Sequence, residues 1–431
     1  MPTEGWSRML SLDHIHSGPS LEQRLGAIEL PIARILGRAL EGEEISVEEA
    51  VVLLGTWGQE MEALALAADE LRRRRVGEVV TYVVVRNISF TNVCIKRCGF
   101  CAFSRGYLEE EGYLLPMEEI VRQAREAWQL GATEVCVQAG LPPQMEGDLY
   151  IRICEAIKAE VPDIHIHGFS PEEVLYGAVR SRCTVRDYLK ALKSAGLGSL
   201  PGTAAEILDQ DLRDRIAPGR IPVSRWMEVI ATAHELGIPS SATMMYGHLE
   251  TDEDKARHIA LIRDIQKDTG GFTEFVPLSF ISTEAPMYRL GLVEGLRSGP
   301  TEEEVLKVHA VSRLLLNNHI PNLQVSWVKL GLPLAQALLG AGVNDMGGTL
   351  INESISSSAG AQHGQLVRPS QFRRLIREAG RIPAERDTTY HLRRVFEDPA
   401  TDPEDPLDRI DGSYEERFGS YSRLIGMKEY R

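Results

Sequence analysis

The spacing of apolar and polar positions along the chain changes character near residue 79. From about residue 20 to residue 75, apolar side chains recur every three or four positions, which is the period of an amphipathic helix. This spacing is seen at Val51, Leu54, Trp57, Met61 and Leu64. Ser46 and Glu49 have the spacing of a capping box, which starts a helix. The pattern predicts a helical N-terminal extension over residues 1–78.

Beyond residue 79, short apolar runs alternate with segments that are long enough for helices. The runs predict eight strands, at 79–89, 134–138, 163–167, 197–201, 240–246, 273–278, 322–327 and 342–346. The segments between them predict helices, at 117–130, 150–161, 185–195, 223–236, 252–269, 301–317 and 334–339. This alternation is typical of an α/β fold, and eight units fit a (β/α)8 TIM-type barrel over 79–350. The competing open doubly wound sheet usually has fewer strands and a glycine-rich phosphate turn, which this sequence lacks.

Polar side chains, glycines and histidines follow the carboxyl ends of most predicted strands. The residues at this edge are Gln138, His167, Glu206, Tyr246, His248, Gln324, Asn344 and Asp345. Barrel enzymes build their active sites at this edge, so these residues are candidates for the site. After residue 350 the chain is polar and less periodic, and residues 396–414 are rich in Asp, Pro and Glu. This composition predicts a C-terminal extension, 351–431, that covers the barrel or is partly mobile.

Composition and charge narrow the class of protein. Of the 431 residues, 43% are hydrophobic and 25% are charged, which is typical of globular domains and not of disordered or fibrous chains. The net charge of −15 disfavours non-specific binding to nucleic acid, and the basic run Arg72 to Arg75 is interpreted as the solvated end of a helix. No apolar stretch has the roughly 18 to 20 residues that cross a bilayer, and the N-terminus has no signal-peptide core. We therefore expect a cytoplasmic protein with no membrane or nucleic-acid partner.

Three of the six cysteines fall within one short segment, which points to metal chemistry. Cys94, Cys98 and Cys101 have the spacing C-x3-C-x2-C directly after the first predicted strand. Thiolates are soft ligands that suit iron–sulfur clusters, and three ligands leave one iron of a 4Fe-4S cluster open. That iron can take the amino and carboxylate groups of S-adenosylmethionine (SAM), whose reductive cleavage gives a 5′-deoxyadenosyl radical. The other cysteines, Cys136, Cys154 and Cys183, are interpreted as core thiols.

Other interpretations of the cysteine motif explain less of it. A structural zinc site needs a fourth Cys or His, and none adjoins the triad. A thioredoxin-like Cys98-x-x-Cys101 pair leaves Cys94 unexplained. An iron–sulfur electron carrier without turnover would not need a barrel of this size.

The flanking sequence resembles one subgroup of the radical SAM superfamily. Asn87-Ile-Ser-Phe-Thr-Asn-Val-Cys94 and Cys101-Ala-Phe are similar to a subgroup that includes two menaquinone-pathway enzymes, aminofutalosine synthase and dehypoxanthine futalosine cyclase, and the two halves of deazaflavin synthase. The tyrosine-consuming half is resembled most, through stretches beginning at Leu200, Thr243, Gly270, Gln324 and Asn344. The resemblance spans about residues 45–395. The menaquinone cyclase stays the alternative, although Gly-Gly-Gly is expected there in place of Gly202-Thr-Ala.

The resemblance implies a transferase in deazaflavin biosynthesis, the route to FO and coenzyme F420. Such an enzyme joins the 4-hydroxybenzyl group of L-tyrosine to 5-amino-6-(D-ribitylamino)uracil. The adenosyl radical is expected to take hydrogen from the tyrosine amino group, after which the Cα–Cβ bond breaks. The implied cofactors are one 4Fe-4S cluster per chain and SAM. The implied partners are a reductant such as ferredoxin or flavodoxin and the ring-closing deazaflavin synthase subunit 1.

The resemblance and the strand ends together suggest roles for individual residues. Gln138 and Gly140 are expected near the amino group of SAM, with a plain βα turn as the alternative. Glu206 is expected to bind the ribose or amino group of SAM, and a carboxylate at a helix N-terminus is its alternative. Tyr246 and His248 are the candidate catalytic pair, with a satisfied surface histidine as the rival interpretation. The candidates for substrate binding, with loop capping as their alternative, are His167, Gln324, Asn344, Asp345 and Glu353.

Overall fold

The computed structural model describes residues 18–106 and 108–431, so the first 17 residues of the predicted N-terminal extension lie outside the described residues. From residue 18 the extension is helical, with helices at Leu21–Leu25, Leu30–Leu40, Val47–Leu54 and Gln59–Val76. The predicted capping box is confirmed, because the Ser46 hydroxyl accepts from the Glu49 amide and the Glu49 carboxylate accepts from the Ser46 amide.

The basic run at the end of the fourth helix is only partly solvated. Arg73, Arg74 and Arg75 are exposed, but Arg72 is fully buried. The Arg72 guanidinium donates to Asp69 at 2.7 Å, because a buried guanidinium needs an anionic partner. The interpretation of the whole run as a solvated helix end is therefore wrong for Arg72.

The barrel is a closed ring of eight parallel strand positions, each of which is called a stave below. The strands are β1 (Val79–Val83), β2 (Val85–Ile88), β3 (Glu134–Val137), β4 (His165–Gly168), β5 (Leu197–Ser199), β6 (Ser240–Tyr246), β7 (Phe272–Ser279) and β8 (Asp345–Gly348). β1 and β2 are two segments of the first stave, which pairs with β8 on one side and β3 on the other. In chain order, β3 to β7 are the second to sixth staves, residues 323–324 form the seventh, and β8 is the eighth. Single parallel bridges, Leu200–Ser240, Phe275–Leu323 and Gln324–Asp345, join β5 to β6 and β7 to β8. The predicted TIM-type barrel is confirmed.

Helices surround the ring and follow the predicted crossovers. They are Met117–Gln129, Leu149–Glu160, Pro171–Ser181, Val185–Ser194, Gln210–Ile216, Val223–Glu235, Asp252–Thr269, Pro286–Arg289, Glu302–Leu316, Trp327–Leu330 and Leu332–Ala337, with a 3-10 turn at Leu338–Gly340. Their apolar faces cover the strands, as where Ile120, Ala124 and Ala127 are buried at helical spacing along one face. Among the described residues, no helix is both long and apolar enough to span a bilayer.

Two predicted strands differ from the observed ones. The run 322–327 contributes only the bridges at Leu323 and Gln324, and a helix begins at Trp327. The last strand begins at Asp345, three residues later than predicted, because Gly342 has a positive φ of 96° that turns the chain before the strand. Asn344 and Asp345 therefore lie at the amino end of β8, and their predicted position at the carboxyl edge is wrong.

The C-terminal segment adds two strands that the sequence analysis missed. β9 (Ile382–Arg386) runs parallel to β1, and β10 (Leu392–Val395) pairs with β9 in antiparallel fashion. The other elements after residue 350 are helices at Ile355–Ser358, Pro369–Glu378, Tyr414–Phe418 and Tyr421–Gly426, with 3-10 turns at Pro399–Thr401, Pro406–Arg409 and Lys428–Tyr430. The Thr388 hydroxyl donates to Glu134 at 2.6 Å, so the β9–β10 connection reaches the amino end of β3. The segment thus packs against the barrel strands, and the domain boundaries at 78 and 350 stay predictions.

Candidate functional site

A cavity of about 440 Å³ runs along the barrel lumen. At the carboxyl ends of the strands it is lined by all three clustered cysteines, and at the amino ends by Glu134, Glu274 and Arg386. The other predicted site residues that line it are Gln138, Gly140, His167, Glu206, Gln324 and Glu353. Its size is in the range of small-molecule sites, and polar groups line both of its ends.

The three cysteines sit on a loop that follows β2 and face one cavity. Hydrogen bonds fix the loop, because the Cys94 amide donates to the Arg105 carbonyl at 3.0 Å and the Cys101 amide donates to the Cys98 carbonyl at 3.1 Å. Burial raises the pKa of the Cys98 thiol to about 11, and it also raises the pKa of Cys94. A positively charged metal centre is therefore needed to hold these groups as thiolates at neutral pH.

The three thiols supply the ligands that an iron–sulfur cluster needs. In a 4Fe-4S cluster each cysteine thiolate binds a different iron, so three cysteines leave one iron open. Cys94, Cys98 and Cys101 line one cavity and therefore suit such a cluster.

Gly140 is required by close packing against the cysteine loop. A Cβ atom at this position would lie 2.3 Å from the Val93 carbonyl oxygen, which no real side chain tolerates. The Gly140 amide donates to the Thr91 carbonyl at 2.8 Å, and the preceding amide of Ala139 donates to the Glu173 carboxylate at 3.0 Å. Burial raises the pKa of Glu173 to about 7. The contact of this backbone with SAM stays a prediction.

Glu206 is held by two arginines, one of which contacts the cysteine loop. Its carboxylate lies 3.1 Å from the guanidinium of Arg213 and 3.1 Å from that of Arg220. Arg220 also donates to the Cys98 sulfur at 3.2 Å and stacks on the ring of Phe100, 5.5 Å from its centroid. The alternative interpretation of Glu206 as a helix N-terminal carboxylate is not supported, since the next helix begins four residues later at Gln210.

The structure does not bring Tyr246 or His248 into the cavity. Tyr246 is fully buried, and its hydroxyl accepts from Ser279 at 3.2 Å. Burial raises the pKa of Tyr246 and lowers the pKa of His248. One ring nitrogen of His248 lies 3.0 Å from the Met245 carbonyl oxygen, and the other accepts from the Leu249 amide at 2.8 Å. Both side chains secure the end of β6, and this placement gives no support to their predicted catalytic roles.

The substrate-binding candidates divide between the cavity and the framework. His167 faces the lumen, and it shares the Ser199 hydroxyl with His165 at 2.7 and 2.8 Å. Burial lowers the pKa of His167 to about 3, so the ring is neutral. Asn344 has a structural role outside the cavity, because its amide oxygen accepts from Arg313 and from the Leu323 amide. The binding roles of His167, Gln324 and Glu353 stay predictions that their positions allow.

Asp345 belongs to a buried ion pair and does not line the cavity. Its carboxylate lies 2.5 Å from the Arg386 guanidinium and also accepts from the Thr81 hydroxyl at 2.5 Å. Arg386 in turn covers the ring of Tyr390, 3.9 Å from the centroid. Arg386 and Thr388 line the cavity in place of Asp345, so the cavity floor is built from a segment that the sequence analysis did not consider.

Several other charged residues that line the cavity were not predicted, and for four of them the reasons differ. Glu172 and Glu173 begin an unpredicted helix, although the Ser170-x-x-Glu173 capping box is visible in the sequence. Arg220 follows Ala-Pro-Gly in a loop without periodicity and gave no signal. Lys329 stands next to a segment interpreted as a strand, where its side chain was not considered.

Comparison with known proteins gives two family matches and a set of close relatives. The family described as the radical SAM superfamily matches residues 88–262, and the CofH/MqnC C-terminal region matches residues 269–398. The 5-amino-6-(D-ribitylamino)uracil–L-tyrosine 4-hydroxyphenyl transferase of Methanothermobacter thermautotrophicus is 49% identical over 357 residues, which cover 83% of this chain and 96% of the relative. The enzyme of the same name from Methanopyrus kandleri is 49% identical over 77% of this chain and 89% of its own length. An FO synthase of Streptomyces avermitilis is 47% identical over 79% of this chain but only 39% of its own length.

Solved structures share the fold at low sequence identity. The maturase HydG of Carboxydothermus hydrogenoformans superposes with a TM-score of 0.64 at 15% identity, covering 89% of this chain and 86% of its own. Methylornithine synthase (PylB) gives a TM-score of 0.61 at 18% identity, covering 81% and 97%. These similarities concern the fold and agree with the closed ring of parallel strands described above.

Proposed function

This chain belongs to the radical SAM superfamily and, within it, to the family of 5-amino-6-(D-ribitylamino)uracil–L-tyrosine 4-hydroxyphenyl transferases, and we propose that it joins the 4-hydroxybenzyl group of L-tyrosine to that uracil in deazaflavin formation. The observation that carries the proposal is 49% identity over 96% of a relative with this name, with the three cysteines on one cavity. The menaquinone-pathway alternative is not favoured, because the relatives at this identity carry the transferase name.

The residues present fit the cofactors of such an enzyme. Cys94, Cys98 and Cys101 would hold a 4Fe-4S cluster, which would supply the electron for reductive cleavage of SAM. The chain itself fixes the loop that presents the thiols and excludes water with apolar side chains. The apolar residues at the cavity wall include Val276, Leu278, Phe280, Ile281 and Leu350. An apolar wall of this kind limits side reactions of a carbon radical.

The partners of the reaction follow from its chemistry. The substrates are L-tyrosine and 5-amino-6-(D-ribitylamino)uracil, and a radical SAM enzyme needs a one-electron reductant. We propose that the reductant is a ferredoxin or flavodoxin and that deazaflavin synthase subunit 1 closes the ring of the product. The need for a reducing compartment and for small-molecule substrates supports a cytoplasmic location, which also stays a proposal.

A substrate-omission experiment tests the function. The protein is reconstituted with iron and sulfide without oxygen and then given SAM and dithionite with both substrates or with each alone. We expect 5′-deoxyadenosine and, by mass spectrometry, a tyrosine-derived adduct of the uracil only when both substrates are present. Turnover of a futalosine without use of tyrosine would favour the menaquinone alternative. An intact cluster that yields no 5′-deoxyadenosine would instead indicate an electron carrier.

A further inference from the structure

The cations that line the cavity differ in whether they have an anionic partner. Lys96 lies 3.2 Å from Glu172, Arg220 lies 3.1 Å from Glu206, and Arg386 lies 2.5 Å from Asp345. Lys329 also lines the cavity, but within the described part of the chain its ammonium group makes no hydrogen bond and has no carboxylate within 4.0 Å. A half-buried ammonium without a partner loses hydration without compensation. Lys329 is thus the cavity cation for which a bound anion would supply the missing partner.

A carboxylate faces the same part of the cavity. Glu353 follows β8, and both of its carboxylate oxygens accept from the Ser356 amide at 2.9 Å. Burial raises the pKa of Glu353, and the nearby charge of Lys329 acts in the opposite direction. The charged atoms of Lys329 and Glu353 stand more than 4.0 Å apart, which is too far for an ion pair. Both groups line the same cavity without neutralising each other through an ion pair, so a ligand in the cavity can pair with each of them.

The position of this pair places it beside the part of the wall that carries the cysteines. The thiols are on the loop that follows β2, and Glu206 is on the loop that follows β5. Lys329 is on the helix Trp327–Leu330, after the stave at 323–324, and Glu353 follows the next stave, β8. Because β8 pairs with the stave that carries the cysteine loop, a ligand held by Lys329 and Glu353 would lie next to the cluster side of the cavity.

The reactants of the proposed function leave one anion for Lys329. The uracil substrate carries no carboxylate, and the carboxylate of SAM is needed at the open iron of the cluster. The α-carboxylate of L-tyrosine remains without a partner, and its α-amino group needs an acceptor. A lysine and a glutamate separated by a gap match the two charged groups of an amino acid zwitterion.

We propose that Lys329 binds the α-carboxylate of L-tyrosine and that Glu353 accepts from its α-amino group. This assignment rests on the proposed function and deepens it, because it places the amino acid substrate on the arc of staves 7 and 8. Both residues then act as substrate-binding groups that orient the tyrosine Cα toward the lumen.

The assignment is tested by measuring how strongly the unmodified enzyme and its variants bind tyrosine and tyrosine analogues. Tyrosine and tyramine, which lacks the carboxylate, are bound to the reconstituted enzyme with SAM but without reductant, so that no turnover occurs. The unmodified enzyme is expected to prefer tyrosine by about 10- to 100-fold, the worth of one charged hydrogen bond. Lys329→Met is expected to remove this preference by weakening tyrosine binding alone. Lys190→Met, on an exposed position of the helix Val185–Ser194, serves as the control and should keep the preference.

A second pair of ligands tests the glutamate. With 3-(4-hydroxyphenyl)propionate, which lacks the amino group, Glu353→Gln should lose the preference for tyrosine that the unmodified enzyme has. Lys329→Gln provides a second variant in case Lys329→Met does not fold, and far-ultraviolet circular dichroism and iron content report folding. A preference for tyrosine over tyramine that survives in a folded Lys329 variant would overturn the assignment.

The result distinguishes this assignment from the function on which it rests. If the unmodified enzyme makes the uracil adduct and the Lys329 variants still discriminate tyramine, only the binding assignment fails. If the unmodified enzyme neither binds nor consumes tyrosine, the proposed function fails as well.

Discussion

At the carboxyl end of the barrel the three cysteines are neighbours in sequence, whereas at the amino end the cavity floor is closed by residues far apart in the chain. Cys94, Cys98 and Cys101 belong to one short loop after β2. The floor is closed by contacts such as the hydrogen bond from Thr388 to Glu134, whose residues are 254 positions apart. The cluster ligands can therefore be recognised within one short segment of sequence, whereas closure of the lumen depends on contacts between residues far apart in the chain.

The two ends also differ in how they contribute to stability. Asp345 and Arg386 form an ion pair at the floor in which both side chains are almost fully buried. The thiols lie at the carboxyl end of the barrel, which is called the mouth below. They make only weak contacts with the protein, such as the one between Cys98 and Arg220. We therefore expect substitutions at the mouth to remove function and substitutions at the floor to remove stability.

The largest effect is expected at the mouth. Cys98→Ala should abolish binding of an intact cluster and reduce turnover below detection, because each of the three cysteine-ligated irons needs its own thiolate. Iron content and the visible absorbance of the reconstituted protein measure the first effect, and 5′-deoxyadenosine measures the second. The interpretation of Cys183 as a core thiol is wrong, because this cysteine is exposed. Cys183→Ala is therefore the matched control and should change neither. A fully loaded, active Cys98 variant would contradict the cluster assignment.

The second effect is a loss of stability at the floor. Arg386→Met leaves the Asp345 carboxylate buried without a partner, which costs about 3 to 5 kcal/mol of unfolding free energy. Urea denaturation measures this change, and the folded fraction should still take up its cluster. Arg152→Met removes an exposed pair with Glu146 and should cost only about 0 to 1 kcal/mol. Equal losses of unfolding free energy in the two variants would mean that the buried Asp345–Arg386 pair stabilises the fold no more than an exposed ion pair does.

The same contrast explains how much the sequence could predict. The cysteine loop was found because spacing and ligand chemistry are properties of one short segment. β9 was not predicted, because Pro383 argues against a strand and Glu385 and Arg386 resemble solvent-exposed positions. Their charges are paired inside the molecule with partners that no local pattern reveals, among them Arg394 for Glu385.

Side-chain direction was the other limit of prediction. The rim position of His248 was correct as a place in the chain, but its side chain packs against β6 and Phe280, away from the lumen. Successive residues of a strand point to opposite faces, and a turn of one residue at its end decides which side chain enters the cavity. Lys329 was missed for a related reason, because a helix begins at Trp327, where the apolar run predicted a continuing strand.

A pH experiment gives the third effect, at the floor. Burial raises the pKa of Glu274 to about 7 from an ordinary 4.5, the Arg386 charge lowers it, and the charges of Asp345 and Glu134 raise it. The folded protein therefore binds more protons than the unfolded chain between pH 4.5 and 7. This contribution to stability is present in full below pH 4.5 and is lost as the pH rises through about 7.

Glu274→Gln removes this titration. Its unfolding free energy, relative to that of the unmodified protein, should rise between pH 4.5 and 7 by about 1 to 3 kcal/mol and then level off. Urea denaturation at several pH values measures the difference, in which the titration of Glu173 cancels because both proteins contain it. A difference that is independent of pH would show that Glu274 has an ordinary pKa.

The smallest expected effect tests a place where the C-terminal segment reaches the mouth. The Tyr421 hydroxyl donates to the Phe103 carbonyl at 2.8 Å and accepts from Asn92 at 3.3 Å, across more than 300 positions of the chain. Tyr421→Phe keeps the ring packed on Phe103 but removes these bonds, and it should cost about 0.5 to 1.5 kcal/mol. Because Phe103 follows Cys101 by two residues, the loosened loop should also release iron to a chelator faster. Tyr414→Phe, which removes a bond to Arg368 in the same tail, should cost similar stability without faster release. Equal release rates in the two variants would mean that the tail stabilises the fold without holding the cysteine loop.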